Sequence, residues 1–421
     1  MSKKYPHLVI LPTIKAMLDR RESGRVVLTG KFLTGMALYA KKWPGDVTLL
    51  IQGSQLPDSN LDHESVAIDD LPYHLKVVNY NDPKLLGDLA KADVVLASVS
   101  WQQNHISSLC QQVNVPCVYV SEYAFETRMQ IEKSRVNNKL VLLRRWLWNR
   151  KHEALHRKAL SLAAGLQANG TPTYNDYLGL AGDSLLYFDS RVHRQDMATQ
   201  DDIDIRYADL HKGRPMRLAF SGRLLPMKGT DDLPRIAKAL KDLNVPFYMD
   251  IYGGGELETT MFEQIRKLGL TDCVNMCGVV DFARELLPTI KREIDVFVCP
   301  HRQGDPSCTY LETMSCGVPI VGYGNAAFCG VTEHAGAGWV TPMNKPEILA
   351  KQIAKLHENR RTIVEHATRS LQFAMNHSFD DTFSRRVDHL LMLAKPYEQN
   401  GDHERTQVKR SMRQEGSVAT K

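Results

Sequence analysis

Residues 295–322, D-V-F-V-C-P-H-R-Q-G-D-P-S-C-T-Y-L-E-T-M-S-C-G-V-P-I-V-G, constrain this chain more than any other stretch. They read as strand, polar loop, short helix, strand. Residues 295–299 are a short apolar run, the pattern of a buried parallel strand. Residues 301–307 are polar and close on Asp305-Pro306-Ser307, a helix-start signal. Residues 308–316 allow about two and a half helical turns. Gly317 suits the helix C-terminus, and Pro319 opens the next apolar run. Such a unit makes an anion site, because the unpaired N–H groups of a helix N-terminus point outward at the sheet edge. Glu312, one turn inside the helix, is in reach of a ligand's hydroxyls. It also fits a capping box, Thr309-x-x-Glu312. Both readings stand on these residues alone.

A second stretch, L-A-F-S-G-R-L-L-P-M-K-G at 218–229, has the same layout. A strand ends at Phe220, and Ser221-Gly222 permits a tight turn. Arg223 and Lys228 then lie beside a helix start near 230–232. Two cations beside glycines suit a diphosphate, since arginine binds two oxygens at once and lysine acts as a point charge. Either cation taken singly reads as an ordinary solvated surface charge.

Three segments, S-G-R-L-L-P-M-K-G at 221–229, I-Y-G-G-G-E-L at 251–257 and G-D-P-S-C-T-Y-L-E-T-M-S-C-G-V-P-I-V-G at 304–322, together resemble the retaining glycosyltransferases of family 4 (glycosyl transferases group 1). The resemblance covers the C-terminal half well and the N-terminal half by general pattern. It implies an α/β GT-B fold: two facing Rossmann-like domains with a C-terminal crossover helix. The implied layout is an acceptor-binding domain with linker at 1–205, a nucleotide-sugar domain at 206–376 and a crossover helix at 377–398. Residues 399–421 are polar, lack an apolar period and read as a disordered tail.

The resemblance also assigns roles. Arg223 and Lys228 would grip the donor diphosphate. The turns at Gly222 and Gly254 would lie near the nucleotide, and the backbone at Val279 would meet the base. Backbone N–H groups at Ser307, Cys308 and Thr309 would face the phosphates, and Glu312 would accept from the ribose hydroxyls. Gly30-Lys31 stands where the family's first domain turns toward the donor phosphates, although an ordinary βα turn fits equally. Glu122 ends a strand near the place where many members carry histidine.

The chain departs from its family at one point. The usual pattern has two glutamates separated by seven residues, the first contacting the donor sugar. Here Gly304 holds that first position and Asp305 follows. Pro306 biases Asp305 toward an extended backbone, from which its carboxylate can swing into the space of the absent side chain. Alternatively Asp305 caps a helix that begins at Pro306. The expected catalytic residues are therefore Arg223, Lys228, Asp305 and Glu122.

Composition narrows the setting. A chain of 421 residues, 43% hydrophobic and 24% charged, fits two soluble globular domains. A net charge of +5 permits anionic substrates or membrane surfaces and does not point to nucleic acid. The eight cysteines form no C-x-x-C pair and lie partly in apolar runs, which fits reduced thiols and the cytoplasm. No apolar run is long enough to span a membrane, and the N-terminus lacks a signal-peptide core.

Strands at 7–11, 25–29, 47–51, 77–79, 94–97 and 117–120 alternate with helices at 32–43, 84–91 and 105–113, the pattern of a parallel sheet. Residues 196–209 are acid-rich and read as a solvated linker at the domain boundary, despite the superficial D-x-D of Asp202 and Asp204. Residues 139–158 are cationic and rich in leucine and tryptophan. They read as an interfacial helix on an anionic lipid surface at the inner face of the membrane, or as an amphipathic helix packed by its apolar face on the domain; the second is the expectation.

The expected activity is metal-independent, cofactor-free hexosyl transfer with retention. A nucleotide-diphosphate sugar would be the donor, and a glycan or lipid-linked molecule of surface polysaccharide or lipopolysaccharide synthesis the acceptor. Two alternatives stay open: a nucleotide-sugar epimerase on the same fold, and a non-catalytic sugar-nucleotide-binding subunit.

Overall fold

The computed structural model describes residues 5–18, 24–56, 63–136 and 138–396. The first sheet contains β1 (Leu8–Ile10), β2 (Lys15–Leu18), β3 (Arg25–Thr29), β4 (Val47–Ser54), β5 (His63–Ala67), β6 (His74–Val77), β7 (Val94–Ser98), β8 (Cys117–Ser121), β9 (Gly165–Asn169) and β10 (Asp183–Tyr187). Its order is β10-β9-β8-β7-β1-β4-β2-β3-β5, with β6 also on β4. β1 is central, flanked by parallel β4 and β7. All three of its residues are buried and apolar, as a strand covered on both faces requires. The strand expected at 77–79 forms earlier, at β6, where Leu75 pairs with Leu49.

The second sheet contains β11 (Met216–Ser221), β12 (Phe247–Tyr252), β13 (Val274–Gly278), β14 (Val296–Cys299), β15 (Ile320–Tyr323) and β16 (Trp339–Thr341). It is parallel, in the order β13-β12-β11-β14-β15-β16. The chain reverses direction across the sheet between β11 and β14. Loops leaving the carboxyl ends of those two strands diverge, and open α/β sheets bind ligands in the crevice between them. The stretches 218–229 and 295–322 leave from these two strands.

The helix Phe379–Leu393 crosses back to the first sheet, as the resemblance implies. Ser378 caps it by accepting from the Asp381 N–H at 3.1 Å. Phe379, Phe383, Val387 and Leu390 recur at helical spacing and pack into one core with Leu8, Val26, Met36 and Tyr39. The last residues of the expected crossover segment, 397 and 398, and the expected tail at 399–421 lie outside the described residues.

Two expectations are corrected. The acid-rich segment 196–209 is no linker loop, because Gln200–His211 is helical. Thr199 and Asp202 form a reciprocal cap: the Thr199 N–H donates to Asp202 Oδ2 at 2.8 Å, and the Asp202 N–H to Thr199 Oγ1 at 3.2 Å. Ile203, Tyr207 and Leu210, spaced i, i+4, i+7, are buried in the second core, which takes in residues from Phe188 onward. Three apolar residues at the right spacing outweigh the acids between them.

The second correction concerns the helix Lys139–Ser161. Its first half does not pack by its apolar face: Leu140, Leu143 and Leu147 are exposed, the middle of the helix buries Asn149, Glu153 and His156, and only its end packs apolar residues, Ala159 and Leu160, into the core. Glu153 explains the inversion. Its carboxylate accepts from Arg128, from Arg157 Nε at 2.8 Å and from the Tyr177 hydroxyl at 3.1 Å, so a polar network docks the helix.

Candidate active site

The crevice begins with glycines that have no room for a side chain. At Gly253 (φ +125°) a Cβ would stand 2.0 Å from the Gly222 carbonyl oxygen. At Gly229 (φ +64°) it would stand 1.9 Å from the Pro300 carbonyl oxygen. Only glycine fits such positions, and the loops after β11, β12 and β14 therefore pack backbone on backbone. Hydrogen bonds tie them: the Leu224 N–H donates to Gly254 O at 3.0 Å and the Gly253 N–H to Gly278 O at 2.7 Å. Val279, just beyond, is 71% exposed at the mouth.

Lys228 is buried there and donates to Asp305 Oδ2 at 2.9 Å. Arg223 is exposed and makes no hydrogen bond or ion pair among the described residues. Tyr123 of the first domain faces these groups. Burial pushes its phenol up to about 12, with Glu122 and Asp305 adding to the shift and Arg223 opposing it.

The loop after β14 carries three buried polar atoms without a partner among the described residues: His301 Nε2, Gln303 Oε1 and Asp305 Oδ1. Buried polar groups are nearly always hydrogen-bonded, so these three atoms are open to a polar partner, water or ligand, that enters the loop. The helix that follows spans Cys308–Ser315, and Ser307 is its N-cap residue without a side-chain cap bond. The capping role for Asp305, with the helix starting at Pro306, is therefore not what forms. Asp305 spends one oxygen on Lys228, while its carbonyl accepts from the Ser307 N–H at 2.8 Å. Ser307, Cys308 and Thr309 are half-buried in the open first turn.

Glu312 does not close a capping box with Thr309. Its Oε1 accepts from Arg191 Nε at 2.6 Å and its Oε2 from an Arg191 terminal nitrogen at 3.4 Å. The guanidinium lies 3.9 Å from the Phe282 ring centroid. Nothing around 191 in the sequence distinguishes it from other surface arginines.

The first domain reaches across. Thr127 Oγ1 donates to the Gly304 carbonyl at 2.9 Å, and the Gly304 N–H donates to Gln130 Oε1 at 2.9 Å. Both side chains come from the helix Phe125–Arg135. Gly30 opens the helix Gly30–Lys42, and Lys31 Nζ meets Asp189 Oδ2 at 2.6 Å and Cys308 Sγ at 3.0 Å. Burial alone would lower the Lys31 ammonium, but Cys308 and Asp189 hold it well above its usual value. Burial pushes the Cys308 thiol up, Asp189 adds to this and Lys31 opposes it.

A cavity of about 370 Å³ opens at the carboxyl ends of β1, β7 and β8. Ile10, Leu96, Tyr39 and Phe383 line it beside four charges, Lys31, Glu122, Asp189 and Arg386. Glu122 is open to solvent through the cleft, yet the surrounding protein crowds it. Burial pushes its carboxyl up, Asp189 adds to this, and Lys31 and Arg386 oppose it. Arg386, which donates to Gln167 Oε1 at 2.9 Å, is not among the expected site residues, although it falls on the apolar face of the crossover helix. A charge in that register is the available signal. His105 bonds the Tyr80 carbonyl through Nε2 at 2.8 Å.

Contacts thus bring Lys228 to Asp305, the loop after Arg223 to Gly254 and Lys31 to Cys308, while Glu312 meets Arg191 and Glu122 lines the cavity of the first domain. Among the described residues no group of three or more His, Cys, Asp or Glu side chains is placed to hold a metal ion.

Known structures share this architecture. The chain aligns with HepE from Anabaena, solved in complex with UDP, at TM-score 0.62 and 15% identity over 92% of this chain and 99% of that one. It aligns with WaaG, described as a glycosyltransferase involved in lipopolysaccharide biosynthesis, at TM-score 0.55 and 12% identity over 91% and 99%. The fold is GT-B. Residues 202–371 match the family model glycosyl transferases group 1, which places this segment in that superfamily. Among sequences, the putative colanic acid biosynthesis glycosyltransferase WcaL of Salmonella typhimurium is 24% identical over 37% of this chain and 40% of its own length. A D-inositol 3-phosphate glycosyltransferase of Mycobacteroides abscessus is 27% identical over 36% and 35%. The chain thus matches well under half of the length of these curated relatives.

Proposed function

We propose that this GT-B protein is a retaining glycosyltransferase of family 4, moving a hexosyl group from a nucleotide-diphosphate sugar to a glycan or lipid-linked acceptor. One observation carries the reading. Lys228 and Asp305, each singled out on its own stretch, meet at 2.9 Å between the two diverging strands, beside an uncapped helix N-terminus. Lys228, Arg223 and the first-turn N–H groups of the Cys308–Ser315 helix would hold the diphosphate and stabilise its growing charge. Asp305 Oδ1 would accept from a donor-sugar hydroxyl. The bond from C1 to the diphosphate oxygen breaks, the acceptor oxygen bonds C1 from the same face, and the acceptor proton passes to the departing diphosphate. Fixed cations do this without a divalent metal. The Glu122 cavity would seat the acceptor. A UDP-sugar is the first donor to test, because the similar HepE has been solved with UDP and with UDP-glucose. Surface polysaccharide or lipopolysaccharide synthesis on the inner face of a membrane is the setting we propose, in keeping with the roles described for WcaL and WaaG.

A second reading is a non-catalytic nucleotide-sugar-binding subunit. Gly304 at the usual acidic position and Arg191 on Glu312 favour it. A screen of UDP-, GDP- and ADP-sugars with mass detection, run with and without chelator, decides. Glycosyl transfer that survives chelation is expected. Isomerised donor would identify an epimerase, and binding without turnover the subunit.

A further inference from the structure

The outward stripe of the Lys139–Ser161 helix is built backwards for a water-facing surface. Leu140, Leu143 and Leu147, spaced i, i+3, i+7, are 78%, 55% and 56% exposed. Val141, Trp146 and Trp148 flank them and are exposed as well. Three leucines and two tryptophans within nine residues form a contiguous apolar patch, not scattered surface residues. The helix holds seven lysines and arginines and a single acid, Glu153, which is buried and paired. Arg144 and Lys151 project beside the leucines and make no ion pair among the described residues. Arg145 pairs with Glu132, and Arg150 lies 5.7 Å from the Trp146 ring centroid.

A neutral protein groove would match the leucines but leave the cations unanswered. An anionic bilayer matches both: acyl chains take the leucines, headgroup phosphates take Arg144 and Lys151, and tryptophans favour the boundary. Among the described residues no helix is long and apolar enough to cross a membrane, so such a helix would lie in the interface. The patch is also continuous with the cleft. A second cavity, about 300 Å³, is lined by Trp148, Trp101 and Tyr123 and shares Glu122, Ser98 and Thr13 with the larger one. Trp101 and Trp148 stand edge to face with ring centroids 6.5 Å apart, which offers flat apolar rings to sugar faces.

We propose that residues 139–151 dock this protein on an anionic lipid surface, and that the Trp101–Trp148 groove leads the glycan head of a lipid-linked acceptor from that surface to Glu122. The second clause rests on the glycosyltransferase reading; the docking does not.

The test uses the full chain and vesicles of phosphatidylcholine, with and without about one-third phosphatidylglycerol, followed by flotation. Binding should require the anionic lipid and weaken as added salt shortens the Debye length from about 10 Å to about 3 Å. The triple variant Leu140→Ser, Leu143→Ser, Leu147→Ser should bind at least about tenfold more weakly. Arg144→Gln with Lys151→Gln should remove the preference for anionic lipid. All five side chains are exposed, so melting temperatures should match the parent. Vesicle binding that is absent, or equal in parent and triple variant, overturns the docking. So does a dimer, seen by sedimentation, that the triple variant dissolves, because a second copy would then cover the face. The thermal response to UDP, GDP and ADP, measured on the same samples, separates the two claims: docking without a response to any of the three sinks the enzyme reading alone. With both present, Trp101→Ala should raise KM for a lipid-linked acceptor severalfold at unchanged UDP affinity, and an unchanged KM overturns the groove.

Discussion

Arg191 holds the carboxylate that the ribose is expected to use, and removing it gives a sharp test. In Arg191→Ala the protein loses a two-point contact at 2.6 and 3.4 Å and the stacking on Phe282. The Glu312 side chain is 11% exposed and that of Arg191 41%, so the pair falls between a surface bridge, worth about 0–1 kcal/mol, and a buried one, worth about 3–5 when one partner is removed. We take about 1–2 kcal/mol. The unliganded variant should therefore melt several degrees lower, at about 2–4 °C per kcal/mol for a domain of this size. Ribose hydroxyls reaching Glu312 in the parent must displace Arg191 or share the carboxylate with it. In the variant they meet an unpaired one. The energy lost from the free protein returns on binding, and UDP should bind about 5- to 30-fold more tightly. Calorimetric titration with UDP, alongside melting with and without it, reads both effects. Unchanged UDP affinity with a lowered melting temperature would show that the ribose does not use Glu312. Weaker binding would make Arg191 itself a nucleotide contact. Either result refutes the competition.

Three further outcomes are expected. Asp305→Asn keeps the shape but leaves the buried Lys228 facing a neutral amide, so it should lose about 1–3 kcal/mol of stability and slow transfer at least about tenfold; parent-like turnover would remove Asp305 from the sugar contact. Arg223→Ala, at an exposed and unpaired position, should keep the parent melting temperature and lose about 10²–10³ in turnover, whereas Lys228→Ala should lower both; normal turnover in either variant would contradict the diphosphate grip. The Glu122 carboxyl is pushed up by burial, so the folded protein holds its proton more tightly than the unfolded chain. Stability from this group is then lost as pH rises from the ordinary carboxylate range through the raised value. Glu122→Gln should be more stable than the parent above that window and indistinguishable below it, and a pH-independent difference between their melting curves would contradict the assignment.

Local pattern determines much of this protein. Alternating apolar runs and helical periods predict parallel sheets, and β11 and β14 appear where residues 218–220 and 295–299 place them. Strand-loop-helix grammar also isolates Lys228, Asp305 and Glu312, because glycine, proline and charge at fixed offsets from a strand end constrain the chain locally. Partners are a different matter. Lys31 meets Cys308 across 277 residues and Arg191 meets Glu312 across 121, and such long-range contacts exist only once the chain has folded. The helix Gln200–His211 reads as a linker because its acids dominate the composition, while its burial depends on a second core that only the fold supplies. The helix Lys139–Ser161 shows the limit most plainly. Its residues specify a helix and two unlike faces, but periodicity carries no direction. Glu153, by pairing with Arg128 and Tyr177, turns the polar face inward, and so tertiary structure alone decides that Leu140, Leu143 and Leu147 look out.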